Sequence, residues 1–131
     1  MRGDSNDPAE WISYADVDLA MAGRALGEEP RFPEMACFHA QQCAEKCLKA
    51  YLVTHRIEFV RTHSLVYLVR LCTDRDGRFS EVMDIAARLQ NYAALARYPT
   101  DEFEPPGMEE AEQACDDAKT VREFVLDKMR S

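Results

Sequence analysis

Arg61, His63, Arg97 and Tyr98, with Lys46 and Lys49 upstream, are the residues whose types suit a phosphate-bearing ligand. An arginine at position 97 can fork onto a phosphate, and the adjacent Tyr98 can stack on a base. The same pair can equally well pin a connection to the body of the protein. His63 lies in Thr62-His63-Ser64-Leu65, a predicted helix start, where free backbone N–H groups favour an anion. A histidine at a helix start can also simply satisfy a backbone carbonyl. Lys46 and Lys49 fall on the polar face of a predicted helix, where most lysines are solvated. Five cysteines complete the inventory, with Cys43 and Cys47 one helical turn apart. That spacing can supply two metal ligands, but no Cys-x-x-Cys or histidine-rich segment accompanies it. Small thiols filling a core are the plainer reading, so no metal and no cofactor are expected. The sequence contains no Walker loop, no dinucleotide-binding glycine pattern and no nucleophile elbow.

The elements that must position these residues are helices. Met35–Thr54 is rich in Ala, Leu, Gln, Glu and Lys and has neither Gly nor Pro. At helical spacing Ala36, Cys37, Ala40, Cys43, Ala44, Cys47, Leu48 and Tyr51 share one face, while His39, Gln41, Gln42, Glu45, Lys46 and Lys49 share the other. The narrow Ala/Cys face lets neighbours approach closely, which suits the central helix of a bundle. Upstream, Asp7-Pro8-Ala9-Glu10 is a helix start, followed by a stripe of Trp11, Ala15, Leu19, Ala22 and Leu26 that Gly27 closes. Downstream, Thr62 is a candidate cap for a short helix carrying Leu65, Leu68, Val69 and Cys72. Ser80 is a candidate cap for a fourth, with Val82, Ile85, Leu89, Tyr92 and Ala96 inward and an end before Pro99. A long last helix carries Met108, Ala111, Cys115, Ala118, Val121, Val125 and Met129. No strand pattern and no internal repeat are present. The expected fold is all-α: an antiparallel up-down bundle of four main helices plus a short fifth. It forms a single domain over residues 1–131, with residues 1–6 disordered.

Phe38-His39-Ala40-Gln41-Gln42-Cys43-Ala44-Glu45-Lys46-Cys47-Leu48-Lys49-Ala50 resembles the signature helix of HEPN domains (higher eukaryotes and prokaryotes nucleotide-binding), of the prokaryotic stand-alone type. Arg61-Thr62-His63-Ser64-Leu65, then Asn91-Tyr92 and Arg97-Tyr98-Pro99, agree in order, and Ala15-Asp16-Val17-Asp18-Leu19-Ala20 of the first helix is similar too. The resemblance implies a homodimer that works with a minimal nucleotidyltransferase in a toxin–antitoxin-like pair and binds nucleotide or RNA. Many HEPN proteins are metal-independent ribonucleases with an Arg-x4-6-His motif, in which His acts as base and Arg holds the phosphate. Arg97 matches that arginine, but residues 98–104 contain no histidine. Arg56 and His63 satisfy the bare spacing at a different place in the chain. A non-catalytic nucleotide-binding partner is therefore the expectation. An RNA-cleaving toxin using Arg97 or the Arg56 and His63 pair is one alternative, and a helical scaffold without a small ligand is another.

The charge pattern sets limits on these readings. The 131-residue chain carries a net −8, which argues against wholesale coating of nucleic acid, and no DNA partner is expected. Residues 46–97 nevertheless hold 9 basic against 5 acidic residues, between two acidic flanks. In an up-down bundle the end of the second helix, the start of the third and the end of the fourth share one end, so Arg61, His63 and Arg97 should converge there with Lys49 a turn inside. The apolar runs fall far short of the roughly 20 residues of a membrane span. The opening residues lack a signal-peptide core, and a cytoplasmic location is expected.

Overall fold

The structure, a computed structural model, describes residues 5–94 and 104–130. Within them the chain is all-helical: α1 Pro8–Gly27, α2 Pro33–Thr54, α3 Leu65–Arg75, α4 Met83–Leu89 and α5 Met108–Arg130. Short 3₁₀ turns, Gly77–Val82 and Gln90–Ala94, flank α4. Asp7 caps α1 by accepting from the Ala9 amide at 3.0 Å, with Pro8 in the first turn. Ser5 is tied down as well, because Trp11 Nε1 donates to its carbonyl at 2.8 Å.

α2 is the axis of the bundle and touches all the other helices. All eight apolar positions expected on its inner face are buried. The opposite face is not solvated, however: Gln41, Glu45 and Lys49 are buried too. α1 covers this side of the helix, running antiparallel so that its Trp11 lies over Lys49 and its Asp18 faces His39 and Lys46. A helix enclosed on most sides must bury part of its polar face, and each buried polar group then needs a partner. Among the described residues no buried side-chain nitrogen or oxygen lacks one.

Two local expectations shift. Ser64, not Thr62, caps α3: its hydroxyl accepts from the Tyr67 amide, while Thr62 Oγ1 accepts from the Ser64 amide. The fourth helix starts not from Ser80 but from a 3₁₀ turn whose Asp76 carboxylate accepts from the Arg78 amide. Side chains three apart eclipse in a 3₁₀ turn, so Phe79 and Val82 both enter the core. Phe79 stacks there between Tyr51 and Phe124, with ring centroids 4.5 and 5.0 Å away. Ala96 lies outside the described residues.

The course of the chain after α2 also differs from simple alternation of ends. Arg56 adopts φ 57°, Ile57 N–H bonds Leu52 O and Arg56 N–H bonds Val53 O. This is a Schellman end with arginine where glycine is usual. The following segment runs back along α2, so His63 meets Glu45 near mid-helix rather than at the end. The 77–94 stretch then leads away from the Tyr51–Phe79–Phe124 cluster. Arg88 bonds Asp117 and Tyr92 bonds Glu110, in the first turn of α5. The described end of the fourth helical stretch therefore lies far from the exit of α2.

Candidate phosphate site at the junction of α2 and α3

Gln41, Glu45 and Lys49 stand at successive i,i+4 positions on α2, which places their side chains in one line. Glu45 is its centre. Its Oε1 accepts from Gln41 Nε2 at 3.1 Å and lies 2.9 Å from His63 Nδ1, while its Oε2 accepts from Lys49 Nζ at 2.9 Å. Gln41 Nε2 also reaches the His63 carbonyl at 3.3 Å. Lys49 Nζ lies 5.5 Å from the Trp11 ring centroid and 5.7 Å from that of Phe59, within cation–π range. Burial pushes the Glu45 carboxyl up, but Lys49, His63 and Gln41 outweigh it and hold it below its ordinary value.

His63 is the outer member of this line, with 54% of its side chain exposed. A neutral His63 that donates from Nδ1 to Glu45 keeps a lone pair on Nε2, a position able to take or give a proton or bond an anion when protonated. Arg61, two residues earlier, is also exposed. The first turn of α3 is held to the end of α4 by Gln90, whose Oε1 accepts from Ser64 Oγ at 3.2 Å and from Val66 N at 3.1 Å. The start of α3 and the end of α4 therefore do meet, although part-way along α2.

Of the six residues expected to bind phosphate, Lys49 and His63 come together, but on a shared carboxylate. Lys46 is engaged with Asp18, which also faces His39 Nδ1 at 2.9 Å. Arg97 and Tyr98 lie outside the described residues. Arg56 and His63 have different neighbours: Arg56 borders a cleft with Ser5, Val53 and Phe59, whereas His63 rests on Glu45. Sequence reasoning missed Glu45, Asp18 and Gln90 as the groups that organise the site. The 41/45/49 line was the available signal for Glu45, whereas Asp18 and Gln90 act across the bundle and left none. A cleft of about 840 Å³ between α4 and α5 surrounds Arg88 with Glu104, Glu109, Glu110 and Asp117, a lining unsuited to phosphate.

The five thiols are free and buried. Burial pushes Cys37 and Cys72 up to about 12, the groups near Cys37 adding a smaller part, and Cys47 is raised by its hydrogen bond with the Cys43 thiol and by burial. Such thiols are poor nucleophiles. Among the described residues no group of three or more His, Cys, Asp or Glu side chains is arranged to hold a metal ion. No helix among them is long and apolar enough to cross a membrane.

Comparison with known proteins agrees with this architecture. A curated relative named "Putative toxin MJ1304", from Methanocaldococcus jannaschii, is 26% identical over 133 residues, covering 92% of this chain and 86% of its own length. The crystal structure of ST0689, an archaeal HEPN homologue, superposes with a TM-score of 0.72 at 28% identity, covering 98% of this chain and 99% of that one. The crystal structure of TT1696 from Thermus thermophilus gives 0.72 at 29% identity, covering 95% and 99%. The family model described as HEPN domain matches residues 8–129, and the chain belongs to that family.

Proposed function

We propose that this chain is a non-catalytic, homodimeric HEPN partner of a minimal nucleotidyltransferase in a toxin–antitoxin-like pair, and that it binds the phosphates of a nucleotide or RNA at the start of α3. The observation that carries the reading is the exposed His63, held by buried Glu45 and followed by the α3 N-terminus, with exposed Arg61 two residues away. A side chain fixed from below presents Nε2, a donor to an anion once the ring is protonated, at low entropic cost, and a helix N-terminus favours negative charge. Lys49 supports this arrangement by fixing Glu45, and Lys46, the next residue along α2, is partly exposed and held by Asp18. Arg97 and Tyr98 enter the proposal on the sequence motif alone. The missing histidine after Arg97 supports the non-catalytic part, and the name of the archaeal relative supports the toxin–antitoxin setting.

One observation favours a second reading. A histidine whose Nδ1 faces a carboxylate has the arrangement of an oriented general base, which an RNA-cleaving toxin would use on a ribose 2′-hydroxyl. One experiment separates the two. Calorimetric titration with ATP, GTP and a short RNA at low salt should show binding that weakens as salt rises. Arg61→Ala and His63→Ala should each weaken it about tenfold or more, the scale of a lost charge-assisted hydrogen bond. The same RNA, incubated without added metal, should stay intact. Cleavage that disappears in His63→Ala or Arg97→Ala would establish the toxin reading instead, and absence of any binding at low salt would leave the scaffold.

A further inference from the structure

The outer face of α1 carries a seam that nothing in the folded chain uses. Glu10, Tyr14, Val17, Met21 and Arg24 are spaced by four, three, four and three residues, the repeat that keeps one line of a helix facing a partner helix. All five are exposed, and the three apolar ones hold 58%, 56% and 46% of their surface in water. Single exposed apolar residues are ordinary, but three in line on one helix form a patch. No hydrogen bond or ion pair joins Glu10 or Arg24 to another described side chain.

We infer that this seam is where a second copy of the chain docks, α1 against α1 and antiparallel, with Val17 on the two-fold axis. The charge pattern selects both the occupant and the direction. In antiparallel pairing about Val17, Glu10 meets the partner's Arg24 at both ends of the contact, whereas parallel pairing would set glutamate on glutamate and arginine on arginine. The sizes agree as well. Tyr14 falls opposite the partner's Ala20, and Met21 opposite the partner's Ser13, so large side chains meet small ones. A two-fold contact uses each complementary pair twice, so one modest patch is self-complementary along its whole length. The inference rests on the homodimer reading above and assigns it a surface.

The test is sedimentation equilibrium of the full chain at several concentrations, with circular dichroism to confirm folding. Wild type should sediment as a dimer, and Val17→Asp should weaken association at least tenfold, with Tyr14→Ser as a milder second variant. Arg24→Glu and Glu10→Arg should each weaken it several-fold, and the double variant should restore it to near the wild-type value. Because the five native thiols are buried, Val17→Cys should give an oxidised, covalently linked dimer with little background. A wild type that is monomeric throughout would remove the homodimer reading and this surface together. A wild-type dimer indifferent to all these changes would keep the homodimer and overturn this surface.

Discussion

Glu45 shows how much a single residue's meaning depends on what lies over it. As an acid four residues before a lysine on a helix, the Glu45–Lys49 pair reads as a surface ion pair worth a few tenths of a kcal/mol. In the fold both partners are buried, and Trp11 and Phe59 close over the lysine. The i,i+4 line was legible in the sequence. Its covering was not, because helical periodicity says which residues share a face and not what packs against that face. Removing the acid leaves a buried ammonium without its partner, so Glu45→Ala should lower stability by about 3–5 kcal/mol, measured by urea unfolding at neutral pH. The pH dependence follows from the lowered Glu45 pKa. A carboxyl held below its unfolded value, about 4.3, contributes stability that is complete above that value. The contribution is lost as pH falls through the unfolded and then the folded value. Wild type should accordingly lose stability more steeply than Glu45→Gln as pH falls below about 5. Parallel curves for the two proteins would exclude Glu45 as a source of the acid sensitivity.

At the scale of elements, α1, α2 and α5 were legible because caps and stripes agreed. Asp7-Pro8 begins α1, the Ala/Cys face buries α2 as expected, and Ala111, Cys115, Ala118, Val121 and Val125 bury the inner side of α5. The fourth helix was legible only in part. Val82 and Leu89 are buried as expected, but Ile85 and Tyr92 are only half-buried, Ala86 is buried instead, and the turn ahead of the helix is 3₁₀ because that geometry takes both Phe79 and Val82 inward. The end of α2 at Thr54 was legible, but the reversal just beyond it was not, since its left-handed residue is Arg56 and carries no glycine signal. That substitution pattern makes a prediction. A left-handed conformation costs a residue with a Cβ about 1–2 kcal/mol, and the greater freedom of unfolded glycine offsets about 0.5–1 of the gain from removing it. Arg56→Gly should therefore stabilise the chain by about 0.5–1 kcal/mol in chemical denaturation. A destabilised Arg56→Gly would mean that the arginine side chain makes a contribution larger than the backbone strain it carries. The same variant should leave nucleotide binding at His63 unchanged if the two residues do not act as a pair.

Across the whole molecule, the segregation of charge along the sequence has a structural counterpart that the sequence alone did not reveal. The basic middle and acidic flanks cross-pair: Lys46 reaches Asp18, Arg88 reaches Asp117, and Asp76 in the middle receives Lys128 from α5. With Lys49 on Glu45, three of the nine bases of the middle segment thus bind acids of the flanks. Arg61 and His63 are exposed on one side of the molecule and the α1 seam on another. The buried apolar residues of all five helices form one cluster around α2, so no helix has a separate core. A single-core domain of this size unfolds in one cooperative step, and association of two folded copies couples that step to concentration. Thermal unfolding should show one transition whose midpoint rises with protein concentration, by about 2–4 °C for each tenfold increase. In Val17→Asp the transition should remain single while its midpoint becomes independent of concentration, because the change is confined to an exposed position on α1. A second, separate transition in wild type would show that α1 or the 77–94 stretch unfolds by itself, against the single cluster. A concentration-dependent midpoint that persists in Val17→Asp would place self-association on a face other than α1.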